Sequence, residues 1–289
     1  MRKIINSVVI ILIFIALIAL VYAYVIEPDR LILEKVDIRL DSGNNNQKNA
    51  DGTALTLVHL SDFHFDTFGG REKEIIEIVN EINPDYVFIT GDSVDDPEKI
   101  KLCSEFLLKL TKDREVKVYG VMGNWDHNAA KTREGLNELI KEFNESGVEI
   151  LTNDNVKLSG DLYLIGVDDP HSGYDDITKA MQGVPENSTK ILIAHSPEIL
   201  DKALAENIDL ILTGHTHGGQ VRIPFYGALW IPSKYGTKYS SGLYTEYGND
   251  SHVTLMYVNR GIGTTSESPA GKIRMFCPPE ITEIKLNTS

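Results

Sequence analysis

Apolar and polar positions along the chain fall into distinct textures. The first is a run from Val8 to Ile26 in which only Tyr22 and Tyr24 carry side-chain polar atoms. It predicts a helix long enough to cross a bilayer. Next, Leu31 to Leu40 alternates Val36, Ile38 and Leu40 with Lys35, Asp37 and Arg39, the period of a strand expected at the edge of a sheet. Asp41 to Asn49 is small, polar and without apolar period. Having nothing to bury, it is expected as a flexible loop.

From Leu55 the chain repeats a short apolar strand, a turn of small or polar residues, and a helical stretch. Leu55 to Leu60 runs into Ser61-Asp62-Phe63-His64, Tyr86 to Thr90 into Gly91-Asp92, and Val116 to Val121 into Gly123-Asn124. Ile191 to Ala194 runs into His195, and Leu210 to Thr213 into Gly214-His215-Thr216-His217. Between them, Glu72 to Ile82 and Leu136 to Phe143 carry apolar residues at helical spacing. Such alternation predicts an α/β fold. After His217 the chain turns Gly-rich and aromatic. Strands at Val221 to Ile223, Lys238 to Tyr244, His252 to Asn259 and Glu280 to Leu286 are expected to form a second sheet packed on the first. No internal repeat is visible.

Charge refines the picture at the N-terminus. Arg2 and Lys3 precede the apolar run and the mixed Glu27, Asp29 and Arg30 follow it, so the positive-inside tendency places the N-terminus in the cytoplasm and the rest outside. A cleaved signal peptide is the competing reading, from Val21-Tyr22-Ala23, but the run outlasts the usual signal core. The expected organisation is a membrane anchor at 1–26, an edge strand and linker at 27–54, and a catalytic-sized domain at 55–289. A single-pass protein of the cell membrane, its domain extracytoplasmic, follows. The formal net charge of -14, with no dense basic cluster past the N-terminus, argues against nucleic acid as a partner. Cys103 and Cys277 lack metal-like spacing and read as free or buried thiols.

The chemistry lies at the strand ends, where open α/β sheets bind ligands. Asp62, His64, Asp92, Asn124, His195, His215 and His217 offer carboxylate and amide oxygens with imidazole, a mixture suited to first-row divalent metals. Seven ligands exceed the needs of one ion. Two ions bridged by one carboxylate use them all, with Asp92 as the expected bridge. Each residue has a plainer reading as a helix cap or turn; the ordered set argues against it. His59, within a strand, reads as a core side chain, and His171 and His252 as loop or strand residues. Arg222 and Arg260 are candidate phosphate clamps, surface ion pairing being the commoner fate of such residues.

Asp62-x-His64, Gly91-Asp92-x-x-Asp95, Gly123-Asn124-x-Asp126, His195 and Gly214-His215-x-His217 resemble, in order, the blocks of the calcineurin-like metallophosphoesterases. The resemblance runs from about Leu55 to His217. It implies a four-layer α/β/β/α sandwich with two mixed sheets, behind the N-terminal transmembrane helix. One metal would take Asp62, His64, Asp92 and His217, and the other Asp92, Asn124, His195 and His215. The ions would be Mn, Fe or Zn, with Mn preferred, and a hydroxide shared between them would be the nucleophile on a phosphodiester or pyrophosphate bond. Asp95 or Asp126 would accept from the outer nitrogens of the histidines.

The anchor, His195-Ser196-Pro197-Glu198, Arg260-Gly261-Ile262-Gly263 and Phe276-Cys277-Pro278-Pro279-Glu280 resemble a membrane-associated bacterial branch. That branch includes pyrophosphatases acting on UDP-2,3-diacylglucosamine, which suggests a phosphorylated small-molecule or lipid-linked substrate. A phosphomonoesterase, or a metal-binding protein whose activity has decayed, are the alternatives. One departure matters. Where the family reads Gly-Asn-His, this chain has Trp125, with His127 two residues on as the candidate proton donor, so the expected catalytic residues are Asp92, Asn124 and His127. Oligomeric state is not legible.

Overall fold

The computed structural model describes residues 2–40, 53–112, 116–248, 251–265 and 271–288; the polar stretch read as a loop at 41–49 lies outside them. Helix α1 (Arg2–Val21), at 1.5 Å per residue, is about 30 Å long, the thickness of a bilayer's hydrocarbon. It continues through a π-helical turn, Tyr22–Ile26, and a 3₁₀ turn, Glu27–Asp29. Its apolar side chains, from Ile4 through Val21, lie exposed.

Strands β1 (Ile32–Leu40), β2 (Thr53–Leu60), β3 (Tyr86–Thr90), β4 (Lys117–Val121) and β5 (Val148–Ile150) precede β6 (Asp154–Ser159), β7 (Leu162–Gly166), β8 (Thr189–Ile193) and β9 (Leu210–Thr213). Then come a two-stranded ribbon, β10 (Arg222–Ile223) and β11 (Gly227–Ala228), and finally β12 (Gly242–Tyr247), β13 (Val253–Val258) and β14 (Glu280–Thr288). The order is β1-β14-β2-β3-β4-β5 in one six-stranded sheet and β12-β13-β9-β8-β7-β6 in the other. Both sheets are mixed: β14 runs antiparallel to β2 in the first, and β12 to β13 and β6 to β7 in the second.

Alternation along the strands explains the layers. In β2, Leu55 and Leu57 point into a core shared with Ile191, Ile193, Leu210 and Leu212 of the opposite sheet. Their neighbours Val58 and Leu60 point the other way, against Ile75 and Val79 of α2 (Gly70–Ile82), Phe106 and Leu110 of α3 (Ile100–Thr111), and Leu139 and Phe143 of α5 (Arg133–Glu145). A short α4 (Asn124–Ala130) precedes α5. In the second sheet Leu192 and Ile211 face Ile177 and Ala180 of α6 (Ile177–Ala180) and Leu200 and Ala203 of α7 (Leu200–Ala205). Strands covered on both faces read as unbroken apolar runs, as these do. The result is helix, sheet, sheet, helix.

The second sheet differs from the expected one. Strands near 191 and 210 were assigned with the first sheet, yet β8 and β9 sit at the centre of the second. Strand β14, expected in the second sheet, lies between β1 and β2, with Thr282 opposite His59 and Ile32 opposite Glu280. Ile281 faces the helices and Ile284 and Leu286 face the inter-sheet core. A strand with apolar side chains to bury on both faces takes a central place, and the gap beside β2 supplies one.

The base of α1 is fastened to the domain. Ala23 is buried and its carbonyl accepts from the Arg274 amide at 3.0 Å. The Glu27 carboxylate, fully buried, accepts from the Cys277 amide at 2.6 Å.

Candidate metal centre

The carboxyl ends of β2, β3 and β4 in one sheet meet those of β8 and β9 in the other, and all seven expected ligands gather there. Five of them, Asp62, His64, Asp92, His215 and His217, hold positive φ angles between 41° and 68°. Such backbone is costly for a side chain and concentrates where a site dictates geometry. Tight approach is enforced by two glycines. Gly91, at φ +81°, has the Gly123 amide 2.7 Å from where a Cβ would stand, and a Cβ on Gly214 would collide with Ser61 Oγ and Asp62 Oδ2.

Asp62, His64 and His217 form one cluster and Asp92, His195 and His215 another, the ligand atoms within each lying inside 4.8 Å of one another. His64 Nε2 is 3.1 Å from His217 Nε2, and His195 Nε2 is 3.1 Å from both His215 Nδ1 and Asn124 Oδ1. Asp92 joins the clusters: its Oδ2 stands 3.6 Å from His64 Nε2 and 3.1 Å from His195 Nε2, while Oδ1 accepts from the Trp125 amide at 2.8 Å.

The outer nitrogens decide what the inner ones can do. His195 Nδ1 donates to the Thr90 carbonyl at 2.9 Å and His215 Nε2 to that of Pro232 at 3.2 Å. With those protons spent outward, each ring in its neutral form turns a lone pair inward, and the two inner nitrogens, 3.1 Å apart, need a proton or a metal cation between them. His64 Nδ1 lies 3.5 Å from Asp95 Oδ2. This arrangement of carboxylate, amide oxygen and oriented imidazole fits divalent metals.

Electrostatics divide the four histidines. Burial alone would raise the Asp92 carboxyl, but His195, His64 and His215 around it hold it well below the usual range. Burial lowers His215 to about 4, helped by the charges of His195 and His171, and burial with His64 and Arg274 lowers His217. Burial would lower His195 and His64 as well, but Asp92 raises the first and Asp95 with Asp92 the second; a metal would displace the protons they hold, since the ionised carboxylate and neutral imidazole are the forms that bind it. Asp62, by contrast, is pushed up to about 6 by burial against the partly opposing charge of His195, with Asp92 adding to the rise. This crowding of acids is what a cation relieves.

Other expected residues fall elsewhere. His127 Nε2 meets Asp168 Oδ1 at 2.7 Å and its ring stacks on Tyr174 at 4.5 Å, in a separate cleft with Lys131 and Lys179. The reason is helical: residues two apart on α4 point to nearly opposite faces, and Trp125 takes the one toward His64, ring to ring 6.1 Å. Asp126 accepts from the amides of Gly123 and Val94, bracing two of the loops rather than a histidine. Arg260 is spent on Glu280 and Glu34, and Arg222 on the Gly218 carbonyl and the hydroxyls of Ser240 and Ser241; neither reaches the clusters. His59 is a core side chain as expected, its Nε2 2.8 Å from Thr90 Oγ1 and its pKa lowered by burial to about 3.

Two residues escaped the sequence reading. Arg274, fully buried, has Nη2 3.4 Å from His217 Nδ1 and donates to the carbonyls of Arg260, Gly261, Gly263 and Cys277. His171 lies with its ring 4.4 Å from that of His215. A cleft of about 790 Å³ opens beside His64, lined by Trp125, Asp95, Arg71, Lys99 and Lys272, and reaches Asp29 just past α1.

The chain is similar to known proteins over most of its length. The calcineurin-like phosphoesterase pattern matches residues 55–219. An uncharacterized metallophosphoesterase of Bacillus subtilis, YkuE, is 29% identical over 241 residues, covering 81% of this chain and 79% of its own length. A second from that organism, YkoQ, is 27% identical over 255 residues, covering 85% and 89%. A transmembrane protein with metallophosphoesterase domain from Danio rerio is 34% identical over 228 residues, 72% of this chain but 48% of that protein. With its pattern matched over more than half its length and seven candidate ligand residues brought together at the strand ends, the chain belongs to the calcineurin-like phosphoesterases and is a metallophosphoesterase.

Proposed function

We propose that the domain at 55–289 hydrolyses a phosphodiester or pyrophosphate bond of a membrane-associated substrate. Its two divalent cations would be held by Asp62, His64, Asp92 and His217 on one side and Asp92, Asn124, His195 and His215 on the other. The observation that carries the reading is Asp92 Oδ2 standing between His64 and His195, whose inner nitrogens converge on it with those of their neighbours. When bound, such a pair supplies Lewis acidity toward phosphoryl oxygens and lowers the pKa of water. The chain's own residues orient it: the Thr90 and Pro232 carbonyls fix the tautomers of His195 and His215. The cleft beside His64 mixes Arg71, Lys99 and Lys272 with Asp29, Asp66, Glu72, Asp95 and Asp96, and Arg71 and Lys99 are paired with Glu72 and Asp66.

Trp125 shapes the substrate preference. Its indole cannot supply the proton that a simple alkoxide needs on leaving phosphorus, and His127 faces another cleft. General acid catalysis contributes ~10²–10⁴-fold where it operates, so activated leaving groups, a phenolate or a phosphate, are favoured here. The purified full chain, in detergent, is expected to cleave an aryl phosphodiester faster than an alkyl one, to stop on chelation and to recover with Mn²⁺. Trp125→His should narrow the gap between aryl and alkyl esters. Metal-replete protein that turns over no diester, monoester or pyrophosphate would leave only metal binding.

The anchor reading rests on α1 and on Arg2 and Lys3 ahead of it, and places residues after 26 outside the cytoplasm. Protease added to intact spheroplasts should digest the domain. Protection until lysis would put it inside.

A further inference from the structure

Beyond α1, the most exposed large apolar side chains among the described residues cluster at one place. Phe225 is fully exposed and Tyr226 is 76% exposed, at the turn joining β10 to β11. Phe276, half exposed, lines the same shallow groove as both. Phe225 and Phe276 each hold φ in the left-handed region, 66° and 53°, a strained conformation for a bulky residue, and one that keeps the rings outside the core. No packing need explains them.

Their position does. Val221 bridges to Met275 in parallel, the Arg222 amide donates to the Met275 carbonyl at 2.9 Å, and the Met275 amide to that of Gln220 at 2.8 Å. The same short segment grips the foot of α1, through the Arg274 amide to Ala23 and the Cys277 amide to Glu27. Tyr24, Val25 and Ile26, at that foot, are exposed as well. The aromatic turn is thus one stretch of backbone away from the point where the helix leaves the domain.

We propose that Phe225, Tyr226 and Phe276 form an aromatic wedge that enters the interface of the bilayer spanned by α1. The inference rests on the anchor reading and goes beyond it, since it gives the domain a second, monotopic attachment. Aromatic side chains settle at headgroup depth, and the segment holding the foot of a spanning helix keeps these three near that depth. Charge offers little attachment here: the chain's net charge is -14, and Arg222, among the described residues the one charged residue lining the groove, is held by the Gly218 carbonyl and the hydroxyls of Ser240 and Ser241. An apolar contact can supply it. Two points of attachment fix which face of the domain looks at the membrane, where one helix would leave it free to swivel.

The test uses the full chain in vesicles of phosphatidylcholine and phosphatidylglycerol. Cys103 and Cys277 are buried, so a nitroxide can be placed at Phe225→Cys, with Lys141→Cys, on α5 near the sheet edge opposite β1, as the reference. The ratio of collision with oxygen to collision with a water-soluble nickel chelate should be several-fold higher at 225 than at 141. Equal ratios overturn the wedge. So does a label at 225 shielded from both relaxers and broadened by a second label, which would mean that a second copy covers the turn. Alkaline carbonate extraction tests the anchor separately: release of the chain would sink that reading first, whereas retention with a water-exposed label sinks the wedge alone.

Discussion

Asp92→Ala is expected to empty both halves of the metal cluster and to lower aryl phosphodiester hydrolysis about 10³-fold or more. Asp92 Oδ2 is the one oxygen within 3.6 Å of histidine nitrogens from each cluster, and Oδ1 is held by the Trp125 amide, so no neighbour can rotate into its place. Lewis-acid stabilisation of a phosphoryl group is worth several kcal/mol, and each ~1.4 kcal/mol is a decade of rate. His217→Ala and Asn124→Ala each touch one cluster and should lose less metal. Metal content measured on the three folded variants decides the matter, and equal losses would refute the shared carboxylate.

Arg274→Met is expected to cost about 4 kcal/mol of stability, enough to lower the melting temperature of the detergent-solubilised chain by about 10 °C. The guanidinium is fully buried and donates to four backbone carbonyls, those of Arg260, Gly261, Gly263 and Cys277. Each acceptor left dry forfeits ~1–3 kcal/mol, reduced by relaxation. Lysine cannot stand in, because one ammonium does not reach the planar spread that a guanidinium covers. A melting temperature within a degree or two of wild type would remove Arg274 from the load-carrying residues of this region.

What the sequence disclosed follows from local physics. Strand ends were legible because short apolar runs stop at Asp, Asn or His, and those seven residues are the ones the fold assembles. The layers were legible in outline, since strands without polar alternation need cover on both faces. Strand neighbours were not: periodicity says that β14 is a strand but not that β2 leaves a place for it. The direction of His127 was not legible, because the helical turn after Gly123 that sends residues 125 and 127 apart carries no apolar period of its own. Arg274 gave no signal. It stands in an aperiodic stretch after residue 270, and only tertiary packing shows that four carbonyls converge on it.

The place of β14 also sets a schedule. It is the hydrogen-bonded partner of both β1 and β2, so the first sheet stays open until residues 280–288 have been made and delivered. Contacts between such distant segments form late and slow the closing of a fold. Sheet-building by β7 to β9 can begin earlier, yet the inter-sheet core still lacks Ile284 and Leu286, and the strand that follows the anchor has no neighbour to rest on. The chain therefore stays pliable until residues 280–288 slide between β1 and β2, two strands made long before them.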